Sequence, residues 1–283
     1  PIYRREDISD ERYMPVFSPK AYAGQEVRFM TNIDRWNGES MFLSAYVRNT
    51  TTKEDVIIES KVVKDEGWVE WKFTIPELGG AMVDEIGLIV EGNSPAKYKD
   101  LGTIYLDDFS ITGKAKFTIE IKKQSKEFAS ITPFSHNHGA WEIEGDHMSC
   151  MCLDHGEAFT GNYFLKDVRV KGSIIPLNGS SHLISARVQG ALRGYYGGFT
   201  KEGKVGIMIN NHGMKTLVDT DFDWKMNQEY TVELKILGEE LVLKVDGIEV
   251  LKTKDHTHKY GMVGYAKYAT GRSLFGNLQV EEL

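Results

Sequence analysis

Polar and apolar residues alternate through almost the whole chain. No ten-residue stretch sustains apolar side chains at the i, i+3, i+4, i+7 spacing of a helix face. Successive side chains of an extended backbone point to opposite faces, so such runs bury one face only by pairing as strands. Residues 26–33 read E-V-R-F-M-T-N-I and residues 41–48 read M-F-L-S-A-Y-V-R. Runs at 56–63, 68–75 and 85–91 follow, then I-Y-L-D-D-F-S-I-T at 104–112. Clusters of Gly, Asn, Asp and Pro separate them, giving about six strands before Gly113.

Thr112-Gly113-Lys114 closes this set, and a second begins at Phe117. It continues through 140–143, 148–153, 162–174, 182–189, 194–200, 204–211 and 214–218. Runs at 229–236 and 240–245 are next; Asp246-Gly247 signals a tight hairpin returning at 248–252, and runs at 260–266 and 273–280 end the chain. The expected fold class is all-β, as two consecutive β-sandwich (jelly-roll) domains over residues 1–114 and 115–283. The length of 283 residues suits two domains, and 41% hydrophobic residues suffice for packed cores.

Charge and composition exclude several classes. The formal charge of −7, without a long basic run, argues against nucleic acid. No stretch of about 18 apolar residues is present to span a membrane as a helix. There is no phosphate loop, dinucleotide motif or nucleophile elbow. Cys150 and Cys152, two apart on one strand face, read as free thiols. His136/His138 and His256/His258 could each put two imidazoles on one face for a metal, but no third ligand sits at a typical spacing. The chain starts at Pro1 with a polar stretch, which reads as a linker in a longer protein.

In the first domain, Gly67-Trp68-Val69-Glu70-Trp71-Lys72-Phe73-Thr74-Ile75-Pro76 and the closing strand Gly102–Ile111 with its Tyr105-Leu106-Asp107-Asp108 core resemble galactose-binding-like β-sandwich modules. Many carbohydrate-binding modules share that pattern. The resemblance implies a structural Ca²⁺ held by an acidic residue of the closing strand, Asp107 or more plausibly Asp108, with backbone carbonyls. Alternation would turn one of the two carboxylates toward the core, where it needs a partner. The bland alternative is a carboxylate bonded to backbone amides. Aromatic faces stack on sugars while Arg and amides bond hydroxyls, which makes Trp36, Tyr46, Arg48 and Tyr98 candidate ligand contacts. Trp68 and Trp71, three apart, face opposite sides, so one belongs in the core.

Residues 116–283 resemble a concanavalin A-like (laminin G-like) jelly roll. The runs carrying this are Gly161–Val170, Leu183–Val188, Gly194–Phe199, Tyr230–Ile236, Leu241–Gly247 and Gly261–Ala266. Alternation places Ala186 and Val188 inward and Ser185, Arg187 and Gln189 outward. With Arg169, Arg193 and Tyr196 these would floor a concave face for a glycan; the alternative is a solvated face of paired charges. Paired acids as in glycan hydrolases have their nearest match at Glu142, Glu144 and Asp146, while Arg187, Gln189 and Tyr196 partly echo a lyase site. The expected function is non-catalytic: a carbohydrate-binding or accessory region of a larger bacterial hydrolase. The resemblance extends to C-terminal regions of glycoside hydrolases and of the ADP-ribosylglycohydrolase family. A glycan-active enzyme and an adhesion module are the alternatives.

Overall fold

A computed structural model describes residues 1–4, 21–34, 41–50, 52–63, 67–79, 81–92, 103–127, 130–201 and 203–283. Its described residues fall into two compact units. Residues 1–4 with Ala21–Ala115 form the first, and Lys116–Leu283 form the second. Both are antiparallel β-sandwiches, and the one helical element among the described residues is a 3₁₀ turn at Ile121–Lys123.

The first unit holds β1 (Tyr3–Arg4), β2 (Glu26–Asp34), β3 (Met41–Asn49), β4 (Asp55–Val63), β5 (Trp68–Thr74), β6 (Val83–Gly92) and β7 (Thr103–Thr112). Strands β1-β6-β3-β4 make one sheet and β5-β2-β7 the other. Odd-numbered residues of β2 and β3, from Val27 to Ile33 and from Leu43 to Val47, face each other across the sandwich with Trp71, Phe73 and Ile86. Trp71 is fully buried, stacks 5.9 Å from Phe29 and donates its indole N–H to Thr31 Oγ1 at 2.9 Å. Trp68 is 50% exposed, so the two tryptophans divide between core and surface as their spacing requires.

The second unit contains β8 (Lys116–Ile119), β9 (Lys126–Glu127), β10 (Ser130–Ile131), β11 (Ser135–Asn137), β12 (Ala140–Glu144), β13 (His147–Cys152), β14 (His155–Thr160) and β15 (Val168–Gly179). Next come β16 (His182–Val188), β17 (Arg193–Lys201), β18 (Lys204–Asn211), β19 (Met214–Asp221), β20 (Tyr230–Leu237), β21 (Glu240–Val245), β22 (Ile248–Lys254), β23 (Met262–Tyr268) and β24 (Gly271–Glu282). A seven-stranded sheet runs β11-β14-β23-β16-β17-β18-β19. It packs on an eight-stranded sheet, β12-β13-β24-β15-β20-β21-β22 with β8 beside β24. Tyr265, stacked on Phe275 at 4.7 Å, joins the two layers.

The two sheets are buried differently. Strands β15 and β20 alternate between buried and half-buried residues, as a sheet with one wet face should. Strands β16, β17, β18 and β23 are buried almost throughout. The outer side of the seven-stranded sheet carries its own apolar clusters, Leu183-Tyr196-Met208-Ala266 and Phe159-Val188-Met262. Two sequence-based expectations change here. Residues 162–167 are a loop, since β15 starts at Val168, and β14 is a strand that its Gly and Glu disguised.

Candidate functional site

On the outer face of the three-stranded sheet of the first domain, Asn32 of β2 pairs directly with Trp68 of β5 on one side and with Tyr105 of β7 on the other. Directly paired residues point to the same face, so the three side chains form a row across the sheet. Two inter-strand spacings separate the aromatic positions by roughly 10 Å. Trp68 and Tyr105 are each 50% exposed, and the amide between them is half-buried. Two further positions along the strands, Arg28 donates Nε–H to Glu70 Oε1 at 2.7 Å and Nη1–H to Asp108 Oδ2. The row thus offers two aromatic faces and an amide on one side of a charged network, all mounted on rigid strands.

Asp107 and Asp108 both lie on this exposed side, which corrects the expectation that one turns inward. Arg28 pairs with Ser110 and Met30 with Asp107, so β7 carries one extra residue opposite Phe29. Asp108 occupies that β-bulge at φ +58°, and Phe109, not a carboxylate, enters the core beside Phe29 at 6.3 Å. Asp107 Oδ1 accepts the Asp108 N–H at 2.8 Å. Calcium takes about six to eight oxygens. Asp108 is engaged by the Arg28 guanidinium, and no group of three His, Cys, Asp or Glu side chains that could hold a metal lies together among the described residues.

Tyr46 and Arg48 sit on the outer face of the other sheet, not with Trp68. The Tyr46 ring lies over Gly87, where an added Cβ would stand 2.6 Å from its hydroxyl oxygen. Its hydroxyl donates to Glu85 Oε1, a carboxylate that is 3% exposed. Burial, then the Glu85 bond, pushes the Tyr46 hydroxyl up to about 12. Arg48 grips Asp55 through Nε at 2.7 Å and Nη2 at 3.1 Å, with Nη1 3.2 Å from Glu85. Both side chains are therefore committed within the domain. Trp36 and Tyr98 lie outside the described residues.

In the second domain, Arg169, Arg187, Gln189, Arg193 and Tyr196 do not form a common floor. Arg169 belongs to β15 in the eight-stranded sheet and pairs with Glu281 at 2.6 Å. Arg187 is 3% exposed at φ +49° in a bulge between β16 and β23. That bulge reverses the alternation, so Val188 packs outward with Phe159 and Met262 instead of entering the core. The Arg187 guanidinium donates to the carbonyls of Lys166, His258 and Gly238 at 2.7, 2.9 and 2.8 Å and to Asp167 at 3.3 Å. Burial lowers its pKa from the ordinary arginine value. It is a clamp for three loops.

Gln189 donates Nε2–H to the Tyr260 carbonyl at 2.9 Å, while Arg193 Nε is buried without a hydrogen bond among the described residues. The Gln189 bond anchors Tyr260, a member of a second aromatic cluster. Tyr163 packs 5.4 Å from both Phe164 and Tyr260, and Phe164 is 64% exposed. Sequence reading missed the cluster because residues 162–167 passed for strand. Tyr196 donates to Glu157 Oε1 at 2.5 Å, and Glu157 also accepts from Tyr268 at 2.7 Å and Asn137 at 3.0 Å.

The remaining candidates are dispersed. Glu142 is paired with Lys126 and Glu144 with Arg272, so separate cations hold the two carboxylates. Arg187, Gln189 and Tyr196 share no open cleft, because two clamp backbone and the third is buried. His136 Nε2 accepts the Ile131 N–H at 2.9 Å, and burial drops its pKa to about 3. His138 is exposed and packs on His155 instead. His258 is buried with Nε2 on the Asn210 carbonyl at 2.7 Å, away from exposed His256. Both cysteines are buried free thiols.

Among solved structures, the chain is similar to the carbohydrate binding module CBM66 from Bacillus subtilis. Identity is 17% and the TM-score 0.48, over 53% of this chain and 96% of that one. A Bacillus subtilis protein of unknown function with a galectin-like fold matches at 11% identity and TM-score 0.47, over 60% and 98%. The galectin LEC-6 of Caenorhabditis elegans matches at 13% and 0.33, over 51% and 94%. No family model and no curated protein matches the chain.

Proposed function

We propose that this chain is a non-catalytic glycan-binding region and that the Trp68–Asn32–Tyr105 row is its ligand face in the first domain. The observation that carries this reading is two half-exposed aromatic rings flanking an amide in strict strand register. Rings stack on the apolar faces of sugars, and an amide between them bonds ring hydroxyls in both directions. A rigid sheet confines the ordering cost on binding to the side chains themselves. Trp36 and Tyr98 are further contacts in this reading, and Tyr163, Phe164 and Tyr260 offer a second surface in the other domain. The galactose-binding-like and concanavalin-like resemblances, and attachment to a bacterial hydrolase, belong to the same proposal.

A glycan array with the intact chain tests it. Binding that Trp68→Ala or Tyr105→Ala weakens by roughly tenfold or more supports the row, since base- or sugar-stacking aromatics contribute about 1–3 kcal/mol each. Binding unchanged in both variants removes the row from the ligand site.

A further inference from the structure

The outer face of the eight-stranded sheet holds a polar cleft of about 330 Å³ that none of the residues above explains. It opens where β15 and β24 slip register between Gly172 and Ile174, leaving Gly276 and Asn277 of β24 across from the single Ser173 of β15. A Cβ at Gly276 would stand 2.1 Å from Ser173 Oγ and 3.6 Å from the His147 ring, so a larger residue there would push the Ser173 hydroxyl aside and narrow the floor. Bulges of this kind recur beside binding sites because they part the backbone.

His147 forms one wall. Its Nδ1 lies 2.7 Å from Asp146 Oδ1; a carboxylate only accepts, so Nδ1 carries a proton and, in the neutral ring, Nε2 presents a lone pair. That Nε2 is buried and has no hydrogen bond among the described residues, with Glu229 Oε1 3.5 Å away. Two acceptors side by side repel each other unless a donor reaches both. A buried polar atom without a partner points to a group that binds there. Adjacent hydroxyls of a sugar ring are spaced to donate one to each. Lys171 and Gln279, also in the lining, supply donors for the other oxygens of such a ring. Asp146 and Glu229 outnumber the one cation of the lining, Lys171, which disfavours a phosphate or sulfate, and the lining carries no apolar platform for a lipid.

We infer that this cleft binds a single neutral sugar residue through a vicinal diol placed between His147 Nε2 and Glu229. The site shares a ligand class with the proposed function but no residue with the Trp68 row.

The test is an amide NMR titration of the intact chain with glucose, galactose, mannose, fructose and arabinose in turn. The inference expects saturable shifts at Lys171, Thr231 and Gln279 for at least one sugar. They should persist in Trp68→Ala and weaken roughly tenfold or more in Glu229→Gln, the cost of replacing a charged acceptor. Glu229 is half-exposed, so this variant keeps its fold. Shifts confined to Asn32 and Trp68 overturn the cleft and leave the proposed function standing. Cleft shifts without any at Asn32 and Trp68 do the reverse. No shift at the cleft, or equal shifts in Glu229→Gln, overturn the inference in favour of an imidazolium closed between its two carboxylates.

Discussion

The Tyr196 hydroxyl meets the Glu157 carboxylate at 2.5 Å on the outer side of the seven-stranded sheet, and neither side chain reaches solvent. A lone buried carboxylate would be costly, but two tyrosines and an asparagine donate to this one. Burial beside Glu157 holds both tyrosine pKa values above the ordinary phenol range. Glu157→Ala strands one buried donor, Tyr196, at a cost of about 1–3 kcal/mol, and two half-buried ones, Tyr268 and Asn137, at less, so it should cost several kcal/mol in chemical unfolding. Tyr196→Phe removes one donor and should cost less. Equal, small losses would mean the network is solvated in solution.

Trp68 and Trp71 should separate binding from stability. Trp71→Ala empties a core position and should lower stability by about 3–5 kcal/mol. Trp68→Ala should cost no more than about 1 kcal/mol, the contribution of a half-exposed cross-strand pair. Denaturant melts of the two variants check both values.

Arg187 is expected to be irreplaceable by lysine. Its four hydrogen bonds diverge to three loops, and one ammonium cannot span them. Arg187→Lys and Arg187→Ala should both destabilise by roughly 2–5 kcal/mol. Amide exchange should quicken first at Gly238, whose N–H bonds Asp167, and at Gly261, whose N–H bonds the Leu165 carbonyl. Full rescue by lysine would remove the clamp.

Acid should destabilise the second domain through buried imidazoles. Burial holds His136 at about 3; burial and then the Lys267 charge hold His182 at about 4. A histidine depressed in the folded state stabilises the fold above the ordinary value of 6.5 and loses that contribution as pH falls toward its folded value. Each should cost on the order of 3 kcal/mol by about pH 4. Melting temperatures across that window should fall, and less steeply in His136→Gln. A flat profile would show that these rings gain water before they protonate.

Chelation tests the calcium expectation. With Asp108 engaged by Arg28, the melting temperature should be the same with EDTA and with millimolar Ca²⁺. A drop of several degrees on chelation would support the calcium reading, with Asp107 or Asp108 and backbone carbonyls as its ligands.

Alternation alone was enough to read the all-β class, the strands of the first domain and the division of labour between Trp68 and Trp71. Those depend on a period of two that every residue reports locally. It failed wherever the backbone broke that period. The bulge at Asp108 put a carboxylate expected in the core onto the surface, and the bulge at Arg187 exchanged the faces of Arg187 and Val188. Neither one-residue shift leaves a mark in composition. Strand β14 was missed because His155-Gly156-Glu157 looks like a turn; only tyrosines more than 35 residues away make Glu157 a buried strand residue. The pairing of Trp68 with Tyr105 across Asn32, and of His147 with Glu229 across the cleft, joins positions distant in the chain. Sequence determined which side chains each strand could present. Register between strands, set by long-range packing, decided which of them meet.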